Sequence, residues 1–171
     1  MTSSFKAGIL TASDRSHKGE REDKSGMLLK RLFQEMRAEV VAYDVVPDEK
    51  IPIRNMLIHM ADELHCDVIF TTGGTGLAPR DITPEATREI LDREVPGISE
   101  ALRAAGLKHK SQAMLSRGLA GTRGRTLIVN LPGSPGAVEE AFHLLSTVLA
   151  HAVELMKGEV SDCLKSSVPR H

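Results

Sequence analysis

Tryptophan is absent and tyrosine occurs once, as Tyr43; aromatic residues make up only 3% of the 171-residue chain. Proteins that hold single-stranded nucleic acid stack its bases on aromatic side chains, so that ligand class is not expected. An excess of charge of either sign is also missing. The 22 Lys and Arg nearly balance the 23 Asp and Glu, for a net charge of −1, which points to neither nucleic acid nor an anionic membrane. No apolar run approaches the ~20 residues of a membrane span, and residues 1–10 lack the apolar stretch of a signal peptide, so a cytoplasmic location is expected. Cysteine is limited to Cys66 and Cys163, which form no Cys-x-x-Cys pair and are expected as unpaired thiols in a reducing compartment. Seven histidines occur without the His-x-x-x-His or His-Glu-x-x-His spacing of a zinc site. A Gly-x-Ser-x-Gly nucleophile elbow is absent as well.

What is present is an alternation of strand-like and helix-like segments. Residues 5–12, 39–46 and 66–70 read as strands, the second carrying Val40, Val41, Tyr43, Val45 and Val46. Met27, Leu28, Leu32, Phe33 and Met36 recur at helical spacing, as do Ile53, Leu57, Met60 and Leu64 within 51–64. Further helices are expected near 84–93 and 97–106, then a turn over 121–125 between extended segments, and a buried strand from Leu127 to Asn130. A last helix starts after Ser134, with Pro135 at its first position and Gly158 at its end. This order predicts a three-layer, doubly wound α/β fold: a mostly parallel sheet with helices on both faces. The length suits one domain over 1–158, able to bury roughly 70% of its unfolded surface, with a mobile tail over 159–171.

The run from Thr71 to Thr87, TTGGTGLAPRDITPEAT, follows the third strand. Gly73, Gly74 and Gly76 permit a sharp turn in which a ligand can reach backbone amides. Thr83 is expected to cap the next helix, with Pro84 and Glu85 in its first turn. Strand, glycine turn and helix start together form a phosphate cradle. The loop is neither a P-loop, since no Gly-Lys-Ser/Thr follows, nor a dinucleotide fingerprint, since Pro79 takes the third glycine position. Asp81 sets a carboxylate beside the phosphate position, which suits magnesium.

In a parallel sheet, ligands bind beyond the carboxyl ends of the strands. Ser13 and Asp14 end the first strand, Pro47 and Asp48 follow the second, Thr72 to Asp81 follow the third, and Pro132 to Ser134 follow the later one. These scattered clusters therefore share one rim. Taken singly, each has a plainer explanation. Asp48 reads as a cap for the helix after it, Asp81 as an acceptor for its own loop, Arg80 as a solvated side chain, and residues 133–136 as an ordinary helix start whose free amides offer a second anion site.

Whole blocks of the chain carry a resemblance that separate residues do not. Leu10 to Asp14, Glu22 to Gly26, Val46 to Glu49, the 71–87 run, Met114 to Arg117 and Leu127 to Ser134 together resemble the molybdopterin adenylyltransferase family. These are the Mog/MoaB proteins of molybdenum cofactor synthesis and the related plant and gephyrin domains. The resemblance spans roughly residues 5–158. It implies transfer of AMP from ATP to the terminal phosphate of molybdopterin, with release of pyrophosphate. It assigns Asp48 and Asp81 to catalysis and to Mg2+. It further implies ligand contacts at Ser13, Asp14, Thr72, Gly73, Gly74, Thr75, Gly76, Arg80, Ser116, Arg117, Pro132, Gly133 and Ser134. A homo-trimer or hexamer that hands its product to a molybdenum insertase is implied too. The alternative is a non-catalytic molybdopterin-binding or scaffold protein of the same fold.

Overall fold

Along the first strand, β1 (Lys6–Ala12), successive side chains go to opposite sides of the sheet. Ala7 and Ile9 enter one core, Leu10 and Ala12 the other. The structure, a computed structural model, describes residues 5–158; the tail expected over 159–171, with Cys163, lies outside the described residues. After β1 come the short helix α1 (Asp14–His17), α2 (Lys24–Glu35), β2 (Glu39–Val46) and α3 (Lys50–Ile58). Then follow β3 (Val68–Thr72), α4 (Thr83–Arg88), β4 (Arg93–Glu94), α5 (Pro96–Leu107), β5 (Ala120–Arg123), β6 (Thr126–Leu131) and α6 (Pro135–Lys157).

The strands form one six-stranded sheet in the order β2-β1-β3-β6-β5-β4. The first four are mutually parallel, and β5 and β4 extend the edge antiparallel. The expected mostly parallel α/β sheet is thus present. Helices α2, α5 and α6 contribute Leu29, Phe33, Leu102, Phe142 and Leu149 to one face; α3 and α4 contribute Ile53, Leu57 and Ala86 to the other. All four phenylalanines of the chain meet on the first face, where Phe33 lies 5.1 Å from Phe70 and 5.0 Å from Phe142 between ring centres.

Three local expectations change. The helix expected over 51–64 is α-helical only to Ile58 and continues as a π turn over His59–Glu63. The helix expected over 84–93 ends at Arg88, and Arg93–Glu94 instead pair with Thr122 and Gly121 as an edge strand. Val95 precedes Pro96, and a residue before proline is driven out of helical geometry toward extended backbone. A 3-10 turn over Ser111–Leu115 also lies outside the expected pattern; such short turns carry no 3.6-residue periodicity.

Chain order around β1 places the topological switch between β1 and β3, because the chain leaves β1 for β2 and crosses back to β3. Across this seam the strands end level: Thr11 pairs with Thr72, and Thr72 with Leu131. Asn130, buried in β6, ties the sheet to the layer beside it. Its amide donates to Thr71 Oγ1 (3.0 Å) and Thr87 Oγ1 (2.9 Å), and its Oδ1 accepts from Leu119 N–H (3.3 Å). Asn130→Ala strands the Leu119 amide in the interior, and chemical denaturation should report a loss of about 2 kcal/mol.

Candidate active site

The expected convergence on one rim is a specific set of contacts. Asp14 N–H donates to Asp48 Oδ2 at 2.8 Å, and Asp48 N–H returns a bond to Asp14 Oδ1 at 3.1 Å. This reciprocal brace locks the ends of β1 and β2 together. It also answers the capping question at Asp48. The position before α3 belongs to Glu49, and Asp48 serves the backbone of the neighbouring strand end instead. Arg80 reaches across from the glycine loop and grips Asp14 with two bonds, Nε to Oδ2 at 2.5 Å and Nη2 to Oδ1 at 2.8 Å. Ser13 spends its hydroxyl capping α1, accepting from Ser16 N–H.

On the other side of the seam, Thr72 Oγ1 donates to Pro132 O at 2.7 Å, and Ser25 Oγ donates to Gly133 O at 2.8 Å. The glycine loop itself takes left-handed backbone at Gly73 (φ 93°) and Gly74 (φ 64°). A Cβ on Gly74 would overlap Thr83 Oγ1 and lie 3.3 Å from Asp48 Oδ1. The backbone there is therefore bare, as a phosphate cradle needs, and the Asp48 carboxylate stands beside it.

The cap expected of Thr83 is not made. Thr83 is the first helical residue, its N–H donates back to Gly74 O (3.1 Å), and its buried hydroxyl has no hydrogen-bond partner among the described residues. The tight return of the loop draws the side chain against Gly74 and away from the free amides of α4. Asp81 does take the local role weighed for it, since Oδ2 accepts from Ala78 N–H at 3.0 Å. The same oxygen lies 2.8 Å from where a Gly76 Cβ would be.

Two cavities open on this rim. One, of about 180 Å³, is lined by Ser13, Asp48, Gly73, Gly74, Asp81 and Gly133, among others. The second, of about 680 Å³, is lined by Thr75, Gly76, Ser116, Pro132 and Ser134 together with residues of α5 and α6. The shared wall is made by two loops whose residues divide between them. Residues 72–74 face the small cavity and 75–76 the large one, and Gly133 and Pro135 face the small one while Pro132 and Ser134 face the large one.

Carboxylates are crowded beside the small cavity. Burial pushes the Asp48 carboxyl up, and the nearby charges of Asp14 and Asp81 push the same way. Asp14 goes down, chiefly through its Arg80 hydrogen bond. Crowded carboxylates with an oxygen-only donor set suit a hard divalent cation, and magnesium needs just one or two of them because it keeps waters and phosphate oxygens. Among the described residues no cluster of three or more His, Cys, Asp or Glu side chains forms a metal cage.

Arg21 and Lys24 were not singled out by sequence reasoning, yet both line the small cavity, and neither side chain has a hydrogen bond or ion pair among the described residues. A hint was available, since Lys24 lies inside the matching block from Glu22 to Gly26. Arg103 of α5, and His109 and Lys110 just after that helix, were missed as well; an isolated polar residue carries no sequence sign of whether it faces solvent or a ligand. Ser116 and Ser134, named from the sequence as candidate ligand contacts, line the large cavity. Arg117 is on neither lining: its guanidinium is turned onto Gly76 O, Asp81 O and the Glu85 carboxylate. Cys66 is a free, buried thiol pushed up to about 11 by burial, away from this rim.

Comparison with known proteins places this geometry. A family model described as "Probable molybdopterin binding domain" matches residues 8–151. The chain is 42% identical over 153 residues to a molybdopterin adenylyltransferase of Helicobacter pylori, covering 88% of this chain and 87% of that protein. It is 46% identical over 155 residues to the molybdenum cofactor synthesis protein cinnamon of Drosophila melanogaster, covering 90% of this chain. The chain spans only about a quarter (26%) of cinnamon. Among solved structures, the molybdopterin biosynthesis enzyme MoaB of Thermus thermophilus superposes with a TM-score of 0.85 at 51% identity, covering 90% of this chain and 97% of the other.

Proposed function

The chain belongs to the molybdopterin-binding domain family, and on that basis we propose that it is a molybdopterin adenylyltransferase of molybdenum cofactor biosynthesis. An oxygen of the terminal phosphate of molybdopterin forms a bond to the α-phosphorus of ATP. The bond from that phosphorus to the bridging oxygen breaks, and pyrophosphate leaves with the electron pair. The observation that carries the mechanism is the shared wall: two cavities of about 680 and 180 Å³ meet at loops made of bare backbone. The larger has the volume of an organic ligand site and takes the pterin; the smaller takes nucleotide phosphate against Gly73 and Gly74.

A phosphate monoester has its second pKa near ~6, so the nucleophile is already deprotonated at neutral pH and no general base is required. The protein's task is to hold two polyanions in line. Asp48 and Asp81 fit a magnesium ion, which when bound supplies the charge neutralisation between the phosphates. Arg21 and Lys24 offer their cations to the leaving pyrophosphate. Arg80 is occupied in holding Asp14, and thereby the brace that aims Asp48. Pro132, Gly133 and Ser134 bring the start of α6 to the same point, with Ser116 opposite. Residues 1–158 act as the catalytic domain.

The reading extends to a cytoplasmic homo-trimer or hexamer that passes its product to a molybdenum insertase. Leu144, Val148 and Leu155, exposed along α6, support an oligomer, and no described helix is long and apolar enough to cross a membrane. The test is a single-turnover reaction of ATP and molybdopterin with magnesium and with chelator. Adenylylated molybdopterin is expected only with magnesium. Tight molybdopterin binding without product in either condition would overturn the enzyme in favour of a binding protein.

A further inference from the structure

Arg117 makes contacts that a ligand clamp would not. Its Nε donates to Gly76 O at 2.7 Å, Nη2 donates to Asp81 O at 2.7 Å, and Nη1 pairs with the Glu85 carboxylate. Its own N–H donates to Thr75 O at 2.9 Å. The bonds reach the two ends of the loop that carries Asp81 and the first turn of the helix after it. A guanidinium has five donors in a rigid planar fork, and here the fork is spread over separate backbone points of one loop. Between those points the chain from Leu77 to Arg80 is exposed and contributes no residue to either hydrophobic core. Asp81 also exchanges bonds with Ala78, accepting its N–H at Oδ2 (3.0 Å) and donating to its carbonyl (2.9 Å), but both lie within the loop; Arg117, the Arg80 pair with Asp14 and the Thr83 bond to Gly74 are what tie that loop to its surroundings. Glu85 has its second carboxylate oxygen buried without a hydrogen-bond partner among the described residues, and Arg117 is the cation paired with that carboxylate.

We infer that Arg117 is a positioning residue for the metal-binding carboxylate Asp81, acting through the Asp81 and Gly76 carbonyls rather than by touching phosphate. This rests on the assignment of Asp81 to the metal made above. Lysine cannot replace it, because one ammonium on a flexible stem reaches Glu85 without spanning both carbonyls. Ser116, the residue before it, lines the large cavity, so the same short segment touches the organic-ligand side with one residue and holds the metal loop with the next.

The test measures Mn2+ binding to the full chain by electron paramagnetic resonance, with α,β-methylene-ATP as a non-reacting nucleotide. Outer partners of metal ligands are typically worth 10–100-fold in metal affinity. Asp81→Asn and Arg117→Ala are each expected to weaken Mn2+ by about 10-fold or more. Arg117→Lys keeps the charge beside Glu85, guards against a misfolded Ala variant, and should still lose affinity. The double variant should bind no worse than Asp81→Asn alone, because residues acting through one another are not additive. Ethylguanidinium should restore Arg117→Ala and leave Asp81→Asn unchanged. Normal affinity in both Arg117 variants beside a weakened Asp81→Asn overturns this inference alone, as does a double variant that loses the product of both effects. Normal affinity in Asp81→Asn removes the metal assignment and this inference together.

Discussion

Asp48→Asn should abolish most turnover and yet leave the protein at least as stable as the native chain. Loss of a group that organises transition-state charge typically costs about 10²–10³ in rate, and that is the expected fall in single-turnover rate. The stability half follows from the local electrostatics. Burial and the charges of Asp14 and Asp81 raise the Asp48 pKa in the folded state, so the folded protein holds that proton more tightly than the unfolded chain does. Its contribution to stability is complete below the ordinary aspartate value of ~3.9 and is lost as pH rises through the folded value. At neutral pH the charged Asp48 is therefore a cost to the metal-free fold. Asparagine removes that cost, and its Oδ1 can still accept from Asp14 N–H. Thermal melting at pH 7 should show an equal or higher midpoint for Asp48→Asn, and the difference should vanish at pH 3. A lowered midpoint with unchanged turnover would mean that Asp48 is there for structure.

Gly74→Ala should weaken nucleotide binding. Alanine pays about 1–2 kcal/mol for left-handed backbone, and the added Cβ meets Thr83 Oγ1, which is itself buried at the start of α4. Relief requires moving either the glycine loop or the helix it feeds, and a displacement near 1 Å at a reacting site costs about 10²-fold. The single-turnover rate should fall by about that factor, and calorimetry with ATP and magnesium should show weaker binding, with a modest loss of melting temperature. Native affinity in Gly74→Ala would mean that phosphate does not approach this backbone.

Much of this site could be read before any fold was known. Gly73, Gly74 and Asp81 lie in one short run, and the positive φ at both glycines is what their residue type foretold. The rim shared by Asp14, Asp48, the glycine loop and Pro132 to Ser134 followed from strand order alone, since parallel strands end on the same side. Thr83 was misread because capping propensity depends only on residue type and neighbours, whereas its side chain is held by the loop folding back on it. The role of Arg117 was equally out of reach. Its sequence neighbours show a charged residue after a serine, and the partners of its guanidinium stand between 32 and 41 residues away.

The sequence by itself determined the α/β alternation, the mostly parallel sheet, the glycine turn and the edge of the sheet at which the candidate site lies, because each depends on periodicity or on residue-specific backbone freedom within a short window. Tertiary structure alone decided which polar groups are spent and which are available. Arg80 and Arg117 are committed to Asp14 and to the Asp81 loop, while Arg21 and Lys24 face the small cavity without protein partners among the described residues. A side chain's charge is a property of its residue, but whether that charge is neutralised depends on groups that only folding brings within hydrogen-bond distance.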